Sequence, residues 1–214
     1  MSLVVSDFAT YRQARPVQTG IAFSLSPGEA LLLRGPNGVG KTSLLRALAG
    51  LGAAEGHANH NGHDLLTERA AYLEGIALSG HLDAVKPAMT VRETLAFWVD
   101  LYGAAPGNIA ARFDLASLAD RPAGRLSAGQ KRRLGLARLP LTGAGLWLMD
   151  EPTVSLDGDN TARLTDLLSE HLAAGGMAVI ASHLPLGLPD CRTLCLSPLT
   201  VGRDTDPFLE GSIA

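Results

Sequence analysis

Apolar residues recur along this chain with two different periods, and the changes of period divide it into elements. Leu3 to Ser26 alternates apolar and polar residues around Gln13-Ala14-Arg15-Pro16, the pattern of antiparallel strands joined by a turn. Ala30 to Leu33, before Arg34, is a short continuous apolar run that predicts a buried strand. From Ser43 to Ala49 the apolar residues fall on one helix face. Glu55 to His63 predicts a strand and a tight turn, with Asn61-Gly62 at the bend. Ala77 to Gly80 closes another short apolar run. Thr90 is expected to cap a helix, with Glu93 completing a capping box. Leu95, Phe97, Trp98, Leu101 and Tyr102 make the apolar side of that helix, as core or as a partner-facing surface. Asn108 to Arg125 predicts small helices. Strand, helix and strand then follow at Leu146–Met149, Asn160–Ala174 and Ala178–Ala181, an alternation that predicts a mainly parallel sheet. No repeat or low-complexity linker interrupts the 214 residues, so a single domain over 1–214 is expected.

Composition narrows the class. Hydrophobic residues make up 46% and charged residues 18%, as in a globular chain with a sizeable core. A formal net charge of −3 gives no electrostatic case for nucleic acid as a partner. Cys191 and Cys195 are the only cysteines, too few for a disulfide framework, and are expected as small core residues near a strand. His57, His60 and His63 have an attractive spacing for a metal. No cysteine or carboxylate completes such a site, so a polar surface hairpin is expected. Met1 to Asp7 lacks a basic segment and a long apolar core, and no apolar run is long enough to span a bilayer. The expectation is a cytosolic protein, or one held at a membrane through a partner.

The candidate chemistry begins at Gly35-Pro36-Asn37-Gly38-Val39-Gly40-Lys41-Thr42, followed by Ser43, between the predicted strand and helix. This is a complete phosphate-binding loop in the context it requires. Its glycines let backbone N–H groups turn inward toward anionic oxygens, and the helix N-terminus adds partial positive charge. Lys41 can reach the β- and γ-phosphates, and Thr42 can ligate Mg²⁺. Downstream, Leu146 to Met149 carries two acids at its end. Asp150 is placed to hold Mg²⁺ through water, and Glu151 to polarise an attacking water as general base.

Leu126-Ser127-Ala128-Gly129-Gln130, before Lys131-Arg132-Arg133-Leu134, resembles the signature of the ABC-type ATPases, with Ala128 where a glycine is usual. A serine and a glycine at a helix N-terminus make a second phosphate-binding surface. The order of loop, signature and acidic strand also matches that family. Pro152-Thr153-Val154-Ser155-Leu156-Asp157 resembles its D-loop, and His183, after Ala178–Ala181 and Ser182, resembles its switch histidine at the γ-phosphate. A GTPase would need an Asn-Lys-x-Asp string, which is absent, and a small-molecule kinase would need no signature.

The resemblance implies a P-loop α/β fold with a parallel-sheet core, an antiparallel β subdomain and a helical subdomain over about 83–133. It implies ATP and Mg²⁺, catalytic roles for Lys41, Glu151 and His183, and a head-to-tail dimer. Each ATP would lie between one phosphate loop and the partner's signature. Two places depart from the family. The expected adenine-stacking aromatic falls near Tyr11 or Arg12, and Leu82 stands where a glutamine is usual, with Asp83 beside it.

The stretch Gly80-His81-Leu82-Asp83-Ala84-Val85-Lys86-Pro87, continuing to Thr90-Val91-Arg92-Glu93-Thr94-Leu95, is similar to the ATP-binding subunits of haem exporters in bacterial cytochrome c biogenesis. That resemblance implies integral membrane permease subunits as partners, a peripheral place at the cytoplasmic face of the inner membrane, and ATP use in releasing haem from its chaperone. The alternatives are another small ABC exporter and a soluble ABC protein of DNA repair or translation. The latter class usually carries insertions or tandem domains that this chain lacks.

Overall fold

The computed structural model describes residues 1–81, 83–105, 107–184, 186–188 and 191–199. Leu3–Arg12 (β1) and Arg15–Leu25 (β2) form the expected hairpin, followed by Ala30–Arg34 (β3) and Lys41–Leu48 (α1). Ala53–His60 (β4) and His63–Asp64 (β5) flank a turn in which Asn61 and Gly62 have φ of 56° and 95°. Both central residues are left-handed, as a tight hairpin with the natural strand twist requires. Arg69–Leu73 (α2) and Ile76–Ser79 (β6) follow. Val91–Tyr102 (α3), Ile109–Arg112 (α4) and Ala128–Leu136 (α5) lie between β6 and the next strand, Leu146–Asp150 (β7). Gly158–Ala173 (α6), Met177–Ala181 (β8) and Arg192–Cys195 (β9) complete the order.

One sheet is four-stranded and antiparallel, in the order β2-β1-β4-β5. The other is five-stranded, in the order β6-β7-β8-β3-β9, and every pairing is parallel. Its inner strands β3, β7 and β8 are largely continuous apolar runs because both faces are covered there. Leu32, Trp147, Met149 and Ile180 point to one side and pack with Leu95, Trp98, Leu134 and Leu164 of the helices. Leu31, Leu33, Leu146, Leu148 and Val179 point to the other and pack with Leu44 and Leu48 of α1 and with Leu3, Val5 and Phe8 of the antiparallel sheet. The period of two along each strand thus builds two cores from one sheet.

The capping box of α3 forms as expected, with Glu93 N–H donating to Thr90 Oγ1 at 3.2 Å and Thr90 N–H donating to Glu93 Oε2 at 2.8 Å. Its apolar side divides. Leu95 and Trp98 are buried, whereas Phe97, Leu101 and Tyr102 are exposed. Cys195 is also exposed and Cys191 is half-buried, so the pair is not core, although both do lie at β9.

The histidine hairpin needs a larger correction. His57 is exposed, but His60 is buried, because β4 turns it inward beside Tyr72. Its Nδ1 lies 2.9 Å from the Tyr72 carbonyl oxygen, and its Nε2 has no hydrogen-bond partner among the described residues. Among the described residues no group of three histidine, cysteine or acidic side chains can hold a metal.

Burial pushes the imidazole of His60 below its ordinary value of 6.5, and burial does the same to His171, which stacks on Trp147 with ring centroids 3.8 Å apart. The unfolded chain therefore takes up protons below that value that the folded chain refuses. This contribution to stability is complete above the unfolded value and is lost as the pH falls below it and on through the lowered folded value. Tm is expected to drop between about pH 7 and about pH 5. His60→Asn keeps a donor for the Tyr72 carbonyl, removes the titration, and should flatten that slope. An unchanged slope in the variant would show that His60 does not cause it.

Candidate functional site

The three neighbouring strands β7, β8 and β3 all end at one edge of the parallel sheet. The crevice beyond the carboxyl ends of such strands is where open α/β sheets bind ligands. Gly35 to Gly40 leave β3 there and enter α1 at Lys41. Pro36, Asn37 and Gly38 are exposed, Val39 and Gly40 buried, and Ser43 half-buried. Gly40 has φ of 112°, and a Cβ on it would come within 2.6 Å of Val17 Cγ1. Only glycine fits that position. No side chain caps α1, so the N–H groups of its first turn keep their capacity for an anion.

Lys41 is buried, and its Nζ donates to the carbonyl oxygens of Gly35 at 2.9 Å and Pro36 at 3.3 Å. It also lies 3.3 Å from His183 Nε2. The Thr42 hydroxyl donates to Asp150 Oδ2 at 2.9 Å. The two residues expected around a metal ion are thus together, one from α1 and one from the end of β7.

Glu151 follows Asp150 with φ of 46°, a left-handed conformation that is uncommon for a residue with a side chain. Simple alternation along a strand would send adjacent acids to opposite faces. The turn at Glu151 instead brings its carboxylate to His183, with Oε1 3.4 Å from Nε2 and Oε2 accepting from the His183 N–H at 3.3 Å. An ammonium only donates and a carboxylate only accepts, so one imidazole nitrogen serves Lys41 or Glu151 but not both together. Arg34 holds the same segment through the His183 carbonyl at 2.7 Å. The lysine, the acid pair and the histidine therefore converge.

The signature lies apart from them. Ser127 and Gln130 form a capping box on α5, with Gln130 N–H donating to Ser127 Oγ at 3.2 Å and Ser127 N–H donating to Gln130 Oε1 at 2.9 Å. Ala128 is exposed, and a Cβ on Gly129 would meet the Ser155 carbonyl oxygen at 2.5 Å. Among the described residues no hydrogen bond joins Ser127, Ala128, Gly129 or Gln130 to the loop from Gly35 to Ser43. Asp157 caps α6, and its carboxyl is held below its usual range by the Asn160 backbone N–H first and the Asn160 side chain second.

Two buried polar residues at the site escaped the sequence pattern. Gln18 on β2 donates from Nε2 to the Val39 carbonyl at 2.7 Å and steadies the phosphate loop. Arg132 on α5 donates to the main chain at the last residue of β7 and the residue after it. Arg132 had only its place beside the signature as a sequence signal and Gln18 had none, since a polar residue between apolar ones reads as surface. Tyr11 hydrogen-bonds Glu55 at 2.7 Å and Arg12 is exposed, so neither is committed to a base-stacking position. Leu82 lies outside the described residues. Asp83 pairs with Arg132 at 3.0 Å.

The sequence profile of the ABC transporter family matches residues 18–154. The cytochrome c biogenesis ATP-binding export protein CcmA of Ruegeria pomeroyi is 48% identical over 203 residues, covering 92% of this chain and 92% of its own. The protein of the same description from Paracoccus denitrificans is 49% identical over 204 residues, covering 92% and 89%. Among solved structures, a Pyrococcus furiosus protein described as a putative ABC transporter ATP-binding protein matches with a TM-score of 0.78 at 24% identity, covering 92% of this chain and 98% of its own. An ATP-binding subunit of an ABC transporter matches with a TM-score of 0.80 at 23% identity, covering 92% and 86%. These two support the fold alone.

Proposed function

Since this chain belongs to the ABC transporter family, we propose that it is the ATPase subunit that powers haem delivery in cytochrome c biogenesis, by driving release of haem from its chaperone. The observation that carries the catalytic part is the convergence of Lys41, Thr42, Asp150, Glu151 and His183 at one edge of the sheet. The specific role rests on the likeness to relatives whose description names that export system, over most of both chains.

ATP binds with its triphosphate wrapped by Gly35 to Ser43. The β- and γ-phosphates take the place of the loop carbonyls and His183 around Lys41 Nζ, in charge-assisted hydrogen bonds. Glu151 accepts the proton of the attacking water, and the oxygen of that water forms a bond to the γ-phosphorus. The bond to the bridging oxygen breaks, and its electron pair leaves with ADP. His183 donates to the γ-phosphate once Lys41 has turned to the nucleotide. The Thr42 hydroxyl and the buried Asp150 carboxylate oxygen, 2.9 Å apart, are hard oxygen donors that fit Mg²⁺. When bound, that ion supplies neutralisation of phosphate charge.

The chain acts as a single domain, with a helical subdomain over about 83–133, in a head-to-tail dimer. Ser127 and Gly129 of each subunit face the nucleotide of the other, with Ala128, Gln130 and Asp157 lining that junction. Two facts favour the dimer. Among the described residues the signature makes no hydrogen bond to the loop of its own chain, and a phosphate loop by itself leaves the γ-phosphate open to water. Among the described residues no helix is long and apolar enough to cross a membrane. The permease subunits provide attachment to the cytoplasmic face of the bacterial inner membrane. Nucleic acid is not a partner.

Capture of the chain from solubilised membranes tests the assignment. An integral membrane protein that handles haem is expected to co-purify. Recovery of an unrelated permease instead would assign the chain to another exporter.

A further inference from the structure

Arg132 is a buried cation in a place where chemistry does not need one. Its side chain is 6% exposed, and its five N–H groups meet five acceptors. Nη2 donates to the carbonyl oxygens of Asp150 at 2.8 Å and Glu151 at 3.0 Å, and Nε to that of Pro152 at 3.3 Å. Nη1 donates to the Gly80 carbonyl at 2.9 Å and to Asp83 Oδ1 at 3.0 Å. The left-handed turn at Glu151 takes the chain out of the ladder there, so its carbonyls need partners from elsewhere. One guanidinium supplies them and, with its other nitrogen, holds the chain that leaves β6.

We propose that Arg132 is a positioning residue that ties Gly80 and Asp83, beyond β6, and helix α5 to the main chain of Glu151. A displacement of either is then transmitted to the direction of the catalytic carboxylate. The inference rests on Glu151 being the general base. Two further contacts point the same way. A Cβ on Gly135 would approach Asp83 Cβ to 2.8 Å, so α5 fits closely against this aspartate. Arg138, two turns further along the same stretch, donates to the Leu78 carbonyl at 2.7 Å. Asp83 balances the buried charge, so it is not free to face a metal ion from the loop.

Asp83→Asn is the milder test, because Asp83 is partly exposed and asparagine keeps an acceptor for Arg132 while losing the charge. With the full chain bound to its membrane subunits, kcat is expected to fall about tenfold to a hundredfold, on the scale of a small misplacement of a reacting group. ATP affinity should change less than about twofold. Arg132→Lys keeps the charge but loses the planar fork, and should show the same split with a larger loss in kcat.

A merely structural lesion reduces the amount of competent protein and scales every rate by one factor. Asp83→Asn is therefore repeated in a Glu151→Gln background. There the aimed carboxylate is already gone, and the residual rate should not fall further. Equal fractional losses in the two backgrounds, or a wild-type kcat in either Asp83→Asn or Arg132→Lys, would overturn the proposal. If Glu151→Gln alone hydrolyses ATP at the normal rate, the assignment of the base fails and the inference falls with it. If Glu151→Gln is crippled while Asp83→Asn is fully active, the inference alone fails.

Discussion

Glu151→Gln is expected to leave ATP bound and to lower turnover by about 10²–10⁴-fold, the usual scale for loss of a general base. Glutamine matches glutamate in size and keeps one oxygen for the His183 N–H, which now lies 3.3 Å from Oε2. It tolerates the φ of 46° no worse, so the turn that aims the side chain survives. What disappears is the proton acceptor. Glu151 Oε1 is buried and makes no hydrogen bond among the described residues, its near neighbour being His183 Nε2 at 3.4 Å. Nucleotide binding and single-turnover hydrolysis, measured on the same preparation, separate the two effects. A variant that hydrolyses at the wild-type rate would remove Glu151 from the mechanism.

The second large effect concerns sharing of the site between chains. Lys41→Ala removes the charged contact to the phosphates and should weaken nucleotide binding and abolish turnover. Ser127→Arg places a long cation where the partner's γ-phosphate is expected to close, and should also be nearly inactive as a homodimer. Cross-linked mixed dimers of the two variants then contain one site with both lesions and one with neither. Up to about half of the wild-type ATPase rate should return if the two sites act independently. Loss of the Ser127 cap costs about 1 kcal/mol, too little to unfold the domain. The mixed dimer controls for misfolding as well, because its intact site uses the Lys41 loop of the Ser127→Arg chain. Wild-type activity in the Ser127→Arg homodimer would make the signature a helix cap and nothing more.

Much of this architecture is legible in the amino-acid sequence. Residues 30–33 and 146–149 announce central strands because both faces of the sheet are covered, which leaves no polar positions to blur the pattern. The phosphate loop, the acid pair and the capping box of α3 are local in sequence, so spacing alone reveals them. Long-range contacts were less visible. Gln18 meets Val39, and Arg132 meets Gly80 and Glu151, only after the sheet has formed. A polar residue satisfied by distant carbonyls has the same local pattern as one satisfied by water. His60 misled for the same reason, since its inward turn depends on packing against Tyr72. Exposure of Phe97 and Leu101 beside buried Trp98 was equally hidden, because an aromatic stripe does not declare how wide a helix face the core will cover.

The parallel sheet also fixes chain length at the site. Leu33 and Asp150 both stand opposite Ala181, which makes one last rung across β3, β8 and β7. The phosphate loop, Glu151 and the segment holding His183 all begin within two residues of that rung. Deleting a single residue within 146–150, with the start of β7 held in register, would put Glu151 on the rung in place of Asp150 and leave Thr42 facing the wrong acid. A residue inserted beside Asn61-Gly62, in the other sheet, would lengthen an exposed turn and disturb no such alignment. Tolerance to insertion and deletion along this chain is therefore set by distance from one rung, independently of which side chains occupy it.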